Sequence, residues 1–539
     1  MKMVLGRPVL RLVVIGLLFA IALGLRLYNI DSLPMDVHVD RQYHAALIAQ
    51  GFHEKFVFGE SEAAPPDGII EPPILEAMTS LAYYVFGGEY LWIPRLLSAV
   101  FWMVGGVFLY LIARSIASPN AAVFSTSFYL FDPYSVLPSR AFQPDPLMIM
   151  MLLFSVFAIL RYHRQPSTHK LVAAAMISSL ALFIKPGICL FQVFGLFISL
   201  TIYREGIRKS LLANMHLLTF AVLSLLPMTL YYLYGTLIGG YLEGQVQTNI
   251  VPELIWSKAF WIGWLYQIKT VVGFVPFLGA LLGVLLLYRG PARALTRALI
   301  AGLWIGYFLF GLVFTLRVPT IPYYSLQLIP VVALSLCPVW ELASRYLRQT
   351  DSHYIKQTTV LGLFFLAAAF SVVEHRAQIL GIIKQGQGEA FPGTYVGQTN
   401  LADYEGRART YEEIGEVAFH SRRVLVLAPE YGVDLLYHGQ LLGGVWAPPT
   451  PAEAQLVEVQ GRTQPSTEEM FDALYSEYSP DYFIVIKRFA HYGEQIDWDS
   501  DGRMQELRTL LTESYPTIAD NDTYVVFDLE TVRNGDPGR

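Results

Sequence analysis

Charged side chains are scarce in this chain: Asp, Glu, Lys and Arg make up 15% of its 539 residues, against 54% hydrophobic residues. Soluble domains carry about a quarter of their residues as charges, so a set of soluble domains is excluded. Cysteine occurs only twice, at Cys189 and Cys337, both within apolar runs. They read as buried thiols, and no polar segment of the chain can depend on a disulfide. The sequence also lacks a glycine-rich phosphate loop, metal-finger spacing, a nucleic-acid motif and any low-complexity tract. Nothing in it points to a nucleotide or nucleic-acid partner.

What the chain has instead is apolar runs approaching the roughly 20 residues that cross a bilayer, recurring about eleven times. They fall near 12–28, 91–112, 121–137, 147–160, 171–184, 188–202, 211–234, 271–288, 299–316, 323–340 and 360–373. Alternate connections carry the basic residues: Lys2, Arg7 and Arg11, then Arg114, Arg161 and Arg164, Arg204, Arg289 and Arg345. Cytoplasmic loops are enriched in this way, so these connections and the N-terminus are assigned inside. An odd number of spans then leaves the C-terminus outside. The first run, preceded by Lys2 and Arg7, also fits a cleaved leader, but it is read as a retained anchor.

The expected fold class is therefore mainly α: a polytopic membrane domain over 1–374 and a small α/β extracytoplasmic domain over 375–539. Within the tail, Arg423–Pro429, Asp481–Ile486 and Thr523–Asp528 read as strands, and 411–419, 467–478 and 502–515 as helices. Two outer connections are long enough to hold structure, 32–89 and 238–267. The second gathers Trp256, Trp261 and Trp264 with Lys258, the mixture of an interfacial helix.

The first outer loop is acidic, and it opens with Asp36, His38, Asp40, Arg41, Gln42 and His44 packed within nine residues. Ionisable groups held against a membrane surface are costly and are usually retained for chemistry or binding. Asp40 and His44 would share one face of a helix, which makes them candidate ligands for a divalent metal. No other cofactor is implied. Arg41, Arg140, Lys185 and Arg317 all fall at outer span ends, where they could face an anion. For several of these residues a plainer reading stands beside the functional one. Asp145 could open a helix, Lys185 could be a turn residue before Pro186, Glu71 could cap a helix, and Arg26 and Arg95 could snorkel.

The order of these motifs resembles that of the C-type fold membrane glycosyltransferases of the protein mannosyltransferase and aminoarabinose transferase superfamily. The resemblance rests on Leu25-Arg26-Leu27-Tyr28, Asp36-Val-His38-Val-Asp40-Arg41-Gln42, Glu71-Pro72-Pro73-Ile74-Leu75, Trp92-Ile-Pro-Arg95, Arg140 to Pro146, Lys185-Pro186 and Pro322-Tyr323-Tyr324. It covers about the first two-thirds of the chain. Many members carry an Asp-Glu pair in the first loop, whereas Asp40 is followed by Arg41. Matching the Asp-x-His-x-x-Arg-Gln form points to Asp36 as the catalytic aspartate, and matching the pair by position points to Asp40.

The resemblance implies an inverting transfer of a monosaccharide from a polyprenyl-phosphate donor to a lipid, glycan or protein acceptor. The expected location is the outer face of a plasma or inner membrane. Asp36 or Asp40 would serve as base, with His38, Arg41, Gln42, His44, Glu71, Arg140, Asp145, Lys185, Arg317, Tyr323 and Tyr324 binding substrates. The alternatives are a transporter or flippase of a lipid-linked sugar, and a non-catalytic subunit of envelope-polysaccharide assembly. Against the first, the mid-span regions are nearly free of charge and no repeat relates the two halves.

Overall fold

The computed structural model describes residues 8–34, 37–54, 71–207, 214–238, 250–289, 294–348, 354–383, 404–446, 465–491 and 494–531. The chain divides into two compact units, one of Met1–Ile30, Ile70–Leu75 and Trp92–Ile383, the other of Asp31–Ile69, Glu76–Leu91 and Lys384–Arg539. This differs from the boundary at 374 read in the sequence, because most of the first outer loop groups with the tail.

The first unit is helical. Among the described residues, seven helices are long and apolar enough to cross a membrane, and nine if each of two bent pairs is one span. Eleven were expected. Run 121–137 forms only the 13-residue helix Pro119–Phe131, and run 171–184 the 17-residue helix Thr168–Ile184. Pro133 and Pro138 explain the first, since each lacks the N–H that would continue the ladder. One bent pair, Lys258–Val272 with Phe274–Arg289, turns by 96°. The turn is at Gly273, whose φ of 78° is left-handed backbone that glycine adopts without strain. Glu374 then accepts the Phe274 N–H at 2.9 Å. Exposed Ile262, Leu265 and Tyr266 line the first arm, as expected for a helix lying in an interface.

Two spans fix the ends of this unit. Pro186–Glu205 and Ala294–Val313 run antiparallel through a small-residue contact of Gly195 with Gly302 and Gly306, the close approach that glycines permit between membrane helices. A Cβ on Gly306 would lie 2.5 Å from Gln192 Cα. Further along, Ser199 Oγ donates to the Ala298 carbonyl at 2.7 Å. Lys185 therefore stands at one end of the pair and Ala298 towards the other.

Arg26 and Arg95, which sequence alone allows to snorkel, are fully buried instead. Arg26 donates to Ser139 Oγ at 2.6 Å and to the carbonyls of Ala22 and Leu130 at 2.9 and 3.1 Å. Arg95 donates to the Ile30 carbonyl at 2.8 Å. The Leu130 and Ile30 carbonyls lie at a helix end and in a turn, where no helical N–H reaches them.

The second unit is α/β. Its strands are β1 Val424–Leu427, β2 Gly443–Val445, β3 Tyr482–Ile486, β4 Arg488–His491, β5 Glu494–Asp497, β6 Thr517–Asp520 and β7 Tyr524–Asp528. Five form one sheet in the order β2-β1-β3-β7-β6, and β4 and β5 pair separately. β1 lies parallel to β2 and β3, while β7 is antiparallel to β3 and β6. Both faces of β1 are buried, which is why it reads as a continuous apolar run.

Its core takes in the first-loop helix Val39–Glu54. Val39, Tyr43 and Leu47, four residues apart and so on one helix face, are buried in the same hydrophobic cluster as the β1, β3 and β7 side chains. Tyr43 Oη lies 2.8 Å from His438 Nε2. Burial, reinforced by the neighbouring Arg407 guanidinium, holds the His438 imidazole down at about 4. A histidine lowered from its ordinary 6.5 is kept neutral by folding. Its contribution is complete above pH 6.5 and is lost as pH falls towards 4, by roughly 3 kcal/mol. Asp434, raised by burial against the pull of Arg407, acts in the opposite sense at acid pH. The protection factors of the β1 amides, exchange rates taken relative to the unfolded chain at the same pH, are therefore expected to fall between pH 6.5 and 4 in the wild type. His438→Gln should flatten that dependence and leave the Asp434 contribution in place.

Candidate active site

In the helical unit, a proline creates the key junction. Pro186 occupies the first turn of its helix, and the residue before a proline is disfavoured in the α conformation. The chain breaks at Lys185, with φ −151° and ψ 83°, between two helices that would otherwise run on. Asp145 opens the helix Asp145–Arg164. Its carboxylate accepts from Lys185 Nζ at 3.1 and 3.0 Å. Glu71 Oε1 stands 3.5 Å from the same nitrogen. The ammonium also lies over the rings of Tyr323 and Tyr324, 4.8 and 5.6 Å from their centroids, and these rings stack on each other.

Five residues singled out in the sequence thus meet: Glu71, Asp145, Lys185, Tyr323 and Tyr324. The Lys185 and Asp145 side chains are 4% and 2% exposed, and Glu71 is 21% exposed, so the group opens at Glu71. Its ionised side chains, two carboxylates and one ammonium, sum to a formal charge of −1. Both plain readings hold for the backbone, with Asp145 opening a helix and Lys185 at the break before Pro186; the side chains add a buried ion pair.

Arg140 is fully buried and donates to the carbonyls of Arg26, at 3.3 Å, and Tyr28. Arg317 lies half-buried in the turn after Ala294–Val313, where its carbonyl accepts the Ile321 N–H at 2.9 Å.

In the α/β unit, the first-loop residues take two directions. Gln42 is fully buried and its Nε2 donates to the Pro34 and Val37 carbonyls at 3.0 and 2.7 Å. It closes the loop, together with the left-handed His38 at φ 44°. Asp40, Arg41 and His44 remain partly exposed among the buried residues of the same helix. Asp36 lies outside the described residues. No group of three His, Cys, Asp or Glu that could hold a metal is found among the described residues. The anchor Tyr43 and its partner His438 were not legible as site elements, since the helix Val39–Glu54 is buried on most of its sides and shows no distinct apolar stripe.

Residues 70–234 match the family model for dolichyl-phosphate-mannose-protein mannosyltransferases. The structure aligns with ArnT from Cupriavidus metallidurans, solved bound to undecaprenyl phosphate, over 95% of this chain and 97% of that one, with a TM-score of 0.58 at 16% identity. This chain has the C-type glycosyltransferase fold. The archaeal oligosaccharyltransferase of Archaeoglobus fulgidus, solved tethered to an acceptor peptide, shares it over 89% of this chain and 70% of that one, at a TM-score of 0.57 and 13% identity. In a further structure of that enzyme, in complex with an inhibitory peptide and a dolichol-phosphate, the alignment covers 88% and 69% with a TM-score of 0.51 at 14% identity. No protein of curated function matches the sequence. Within the C-type fold, the matched segment 70–234 contains Glu71, Arg140, Asp145 and Lys185.

Proposed function

We propose that this chain is an integral membrane glycosyltransferase that moves a monosaccharide from a polyprenyl-phosphate donor to a lipid, glycan or protein acceptor, with inversion. What carries the reading is the alignment of nearly the whole chain with a protein solved on undecaprenyl phosphate. The family match over 70–234 and the acidic first loop support it. The acceptor O–H or N–H attacks the anomeric carbon, the bond from that carbon to the phosphate oxygen breaks, and the pair leaves with the polyprenyl phosphate. Asp36 or Asp40 takes the acceptor proton. The phosphate leaves as a stable anion and needs cations rather than an acid.

Lys185 is the cation proposed for it. Its hold on Asp145 is bidentate, whereas Glu71 at 3.5 Å is the looser and more exposed partner. The donor phosphate displaces Glu71 and leaves the Asp145 pair in place. Arg317, in the same unit, assists, and the first-loop residues His38, Arg41, Gln42 and His44 serve substrate binding in this reading. The site faces the outside of a plasma or inner membrane, opposite the arginine-rich connections.

Purified protein in lipid bilayers, given radiolabelled polyprenyl-phosphate sugars and an extract of envelope acceptors, is expected to transfer label. Asp36→Asn or Asp40→Asn, whichever is the base, should lower the rate by about 10²–10⁴-fold with donor binding retained. Full transfer by both variants overturns the assignment of the base. Movement of labelled lipid across the bilayer without transfer overturns the enzyme in favour of a flippase.

A further inference from the structure

The end of the helical unit away from Lys185 holds a cavity of about 670 Å³. Two independent links fix its position. Thr296, in its wall, lies two residues from Ala298, which bonds to Ser199 near the far end of Pro186–Glu205. Twenty residues of helix from Lys185 span about 30 Å, the thickness of a hydrocarbon core. Ser115, also in the wall, accepts a hydrogen bond from Arg164, at the far end of the helix that Asp145 opens. The cavity and the Lys185 cluster thus belong to opposite leaflets.

Arg114, Arg289 and Arg345, from three different helices, converge on this cavity. Among the described residues, none of the three guanidinium groups pairs with an acidic residue or makes a hydrogen bond. The one carboxylate in the wall, Glu341, is engaged: its Oε1 accepts the Ser118 N–H at 2.8 Å. Three arginines against one glutamate leave the wall at a formal charge of +2. The rest is largely apolar, with Leu286, Leu287 and Leu342. A phosphate held by guanidinium forks, continued by hydrocarbon, matches both halves. Snorkelling alone would spread such arginines around the rim of the bundle; here they share one space.

We infer that this cavity binds the phosphate headgroup of an anionic membrane lipid, in the leaflet opposite the proposed transfer site. The inference does not rest on the transferase reading. A soluble phosphate anion would meet the same arginines, but the leucine wall and the placement at headgroup depth favour a lipid.

The test is native mass spectrometry of the full chain in detergent, titrated with phosphatidylglycerol or phosphatidylcholine, for the wild type and for Arg114→Gln, Arg289→Gln and Arg345→Gln singly and together. Arg161→Gln is the control. Arg161 sits in the last turn of Asp145–Arg164, at the same end of the unit, but outside the cavity wall. Preferential retention of phosphatidylglycerol is expected, weakened about fivefold by each single variant and at least tenfold by the triple, with Arg161→Gln unchanged. Equal losses from Arg161→Gln would reduce the effect to general surface attraction and overturn the site. Displacement of the lipid by inorganic phosphate would overturn the lipid in favour of a soluble anion. Exposed arginines with no ion pair among the described residues can be replaced with little cost in stability, and Arg→Lys variants, which keep the charge and lose the fork, should fall between wild type and Gln.

Discussion

Lys185→Met is expected to destabilise the helical unit by about 3–5 kcal/mol, because it leaves Asp145 buried, charged and without its bidentate partner. At 2% side-chain exposure Asp145 cannot recover that loss from water. The double variant Lys185→Met with Asp145→Leu removes both charges and should regain most of the stability, since replacing a buried pair by apolar groups is often neutral. Transfer should not return with it. Thermal unfolding in detergent and the transfer assay therefore separate two roles of one side chain: loss of both quantities in the single variant, and loss of transfer alone in the double. Transfer restored in the double variant would confine Lys185 to a structural role.

Leu47→Ala is expected to cost about 2–5 kcal/mol in the α/β unit, the range for emptying a buried leucine site. Leu47 is 1% exposed and packs on the face of Val39–Glu54 that also carries Val39 and Tyr43. Asp40 and His44 belong to the same helix, seven and three residues before Leu47, and are partly exposed. Loosening it should displace them and reduce transfer, with Leu47→Met, nearly equal in volume, restoring both properties. A variant that lost stability but transferred at the wild-type rate below its unfolding temperature would show that the helix face need not be held by this core.

Much of the architecture was legible from local pattern. The apolar runs located the spanning helices, and the strands expected at 423–429, 481–486 and 523–528 correspond to β1, β3 and β7. These are the buried strands, where continuous Val, Ile, Leu and Phe leave an unmistakable trace. β2, with two glycines, and β6, largely exposed, carry no such trace and were not anticipated. The Lys185 cluster was legible only as separate residues. Glu71, Asp145, Lys185 and Tyr323 are brought together by helix packing, and no local spacing encodes a contact across 40 residues, such as that of Lys185 with Asp145. The membership of the first-loop helix in the tail's core was hidden for the same reason. The sequence placed Asp40 and His44 on one helix face, but nothing in it showed that the helix would pack on the strands of the tail.

That shared core also bears on how the protein is made. Helix Val39–Glu54 leaves the ribosome early, yet the strands that bury its apolar face end at residue 528. At about 5–20 residues per second, the wait for that last strand is roughly 25–100 s. Until then the acidic loop is without its scaffold, and a truncated chain would never acquire one. Completion of the polypeptide thus becomes a condition for ordering the helix that carries Asp40, Arg41 and His44.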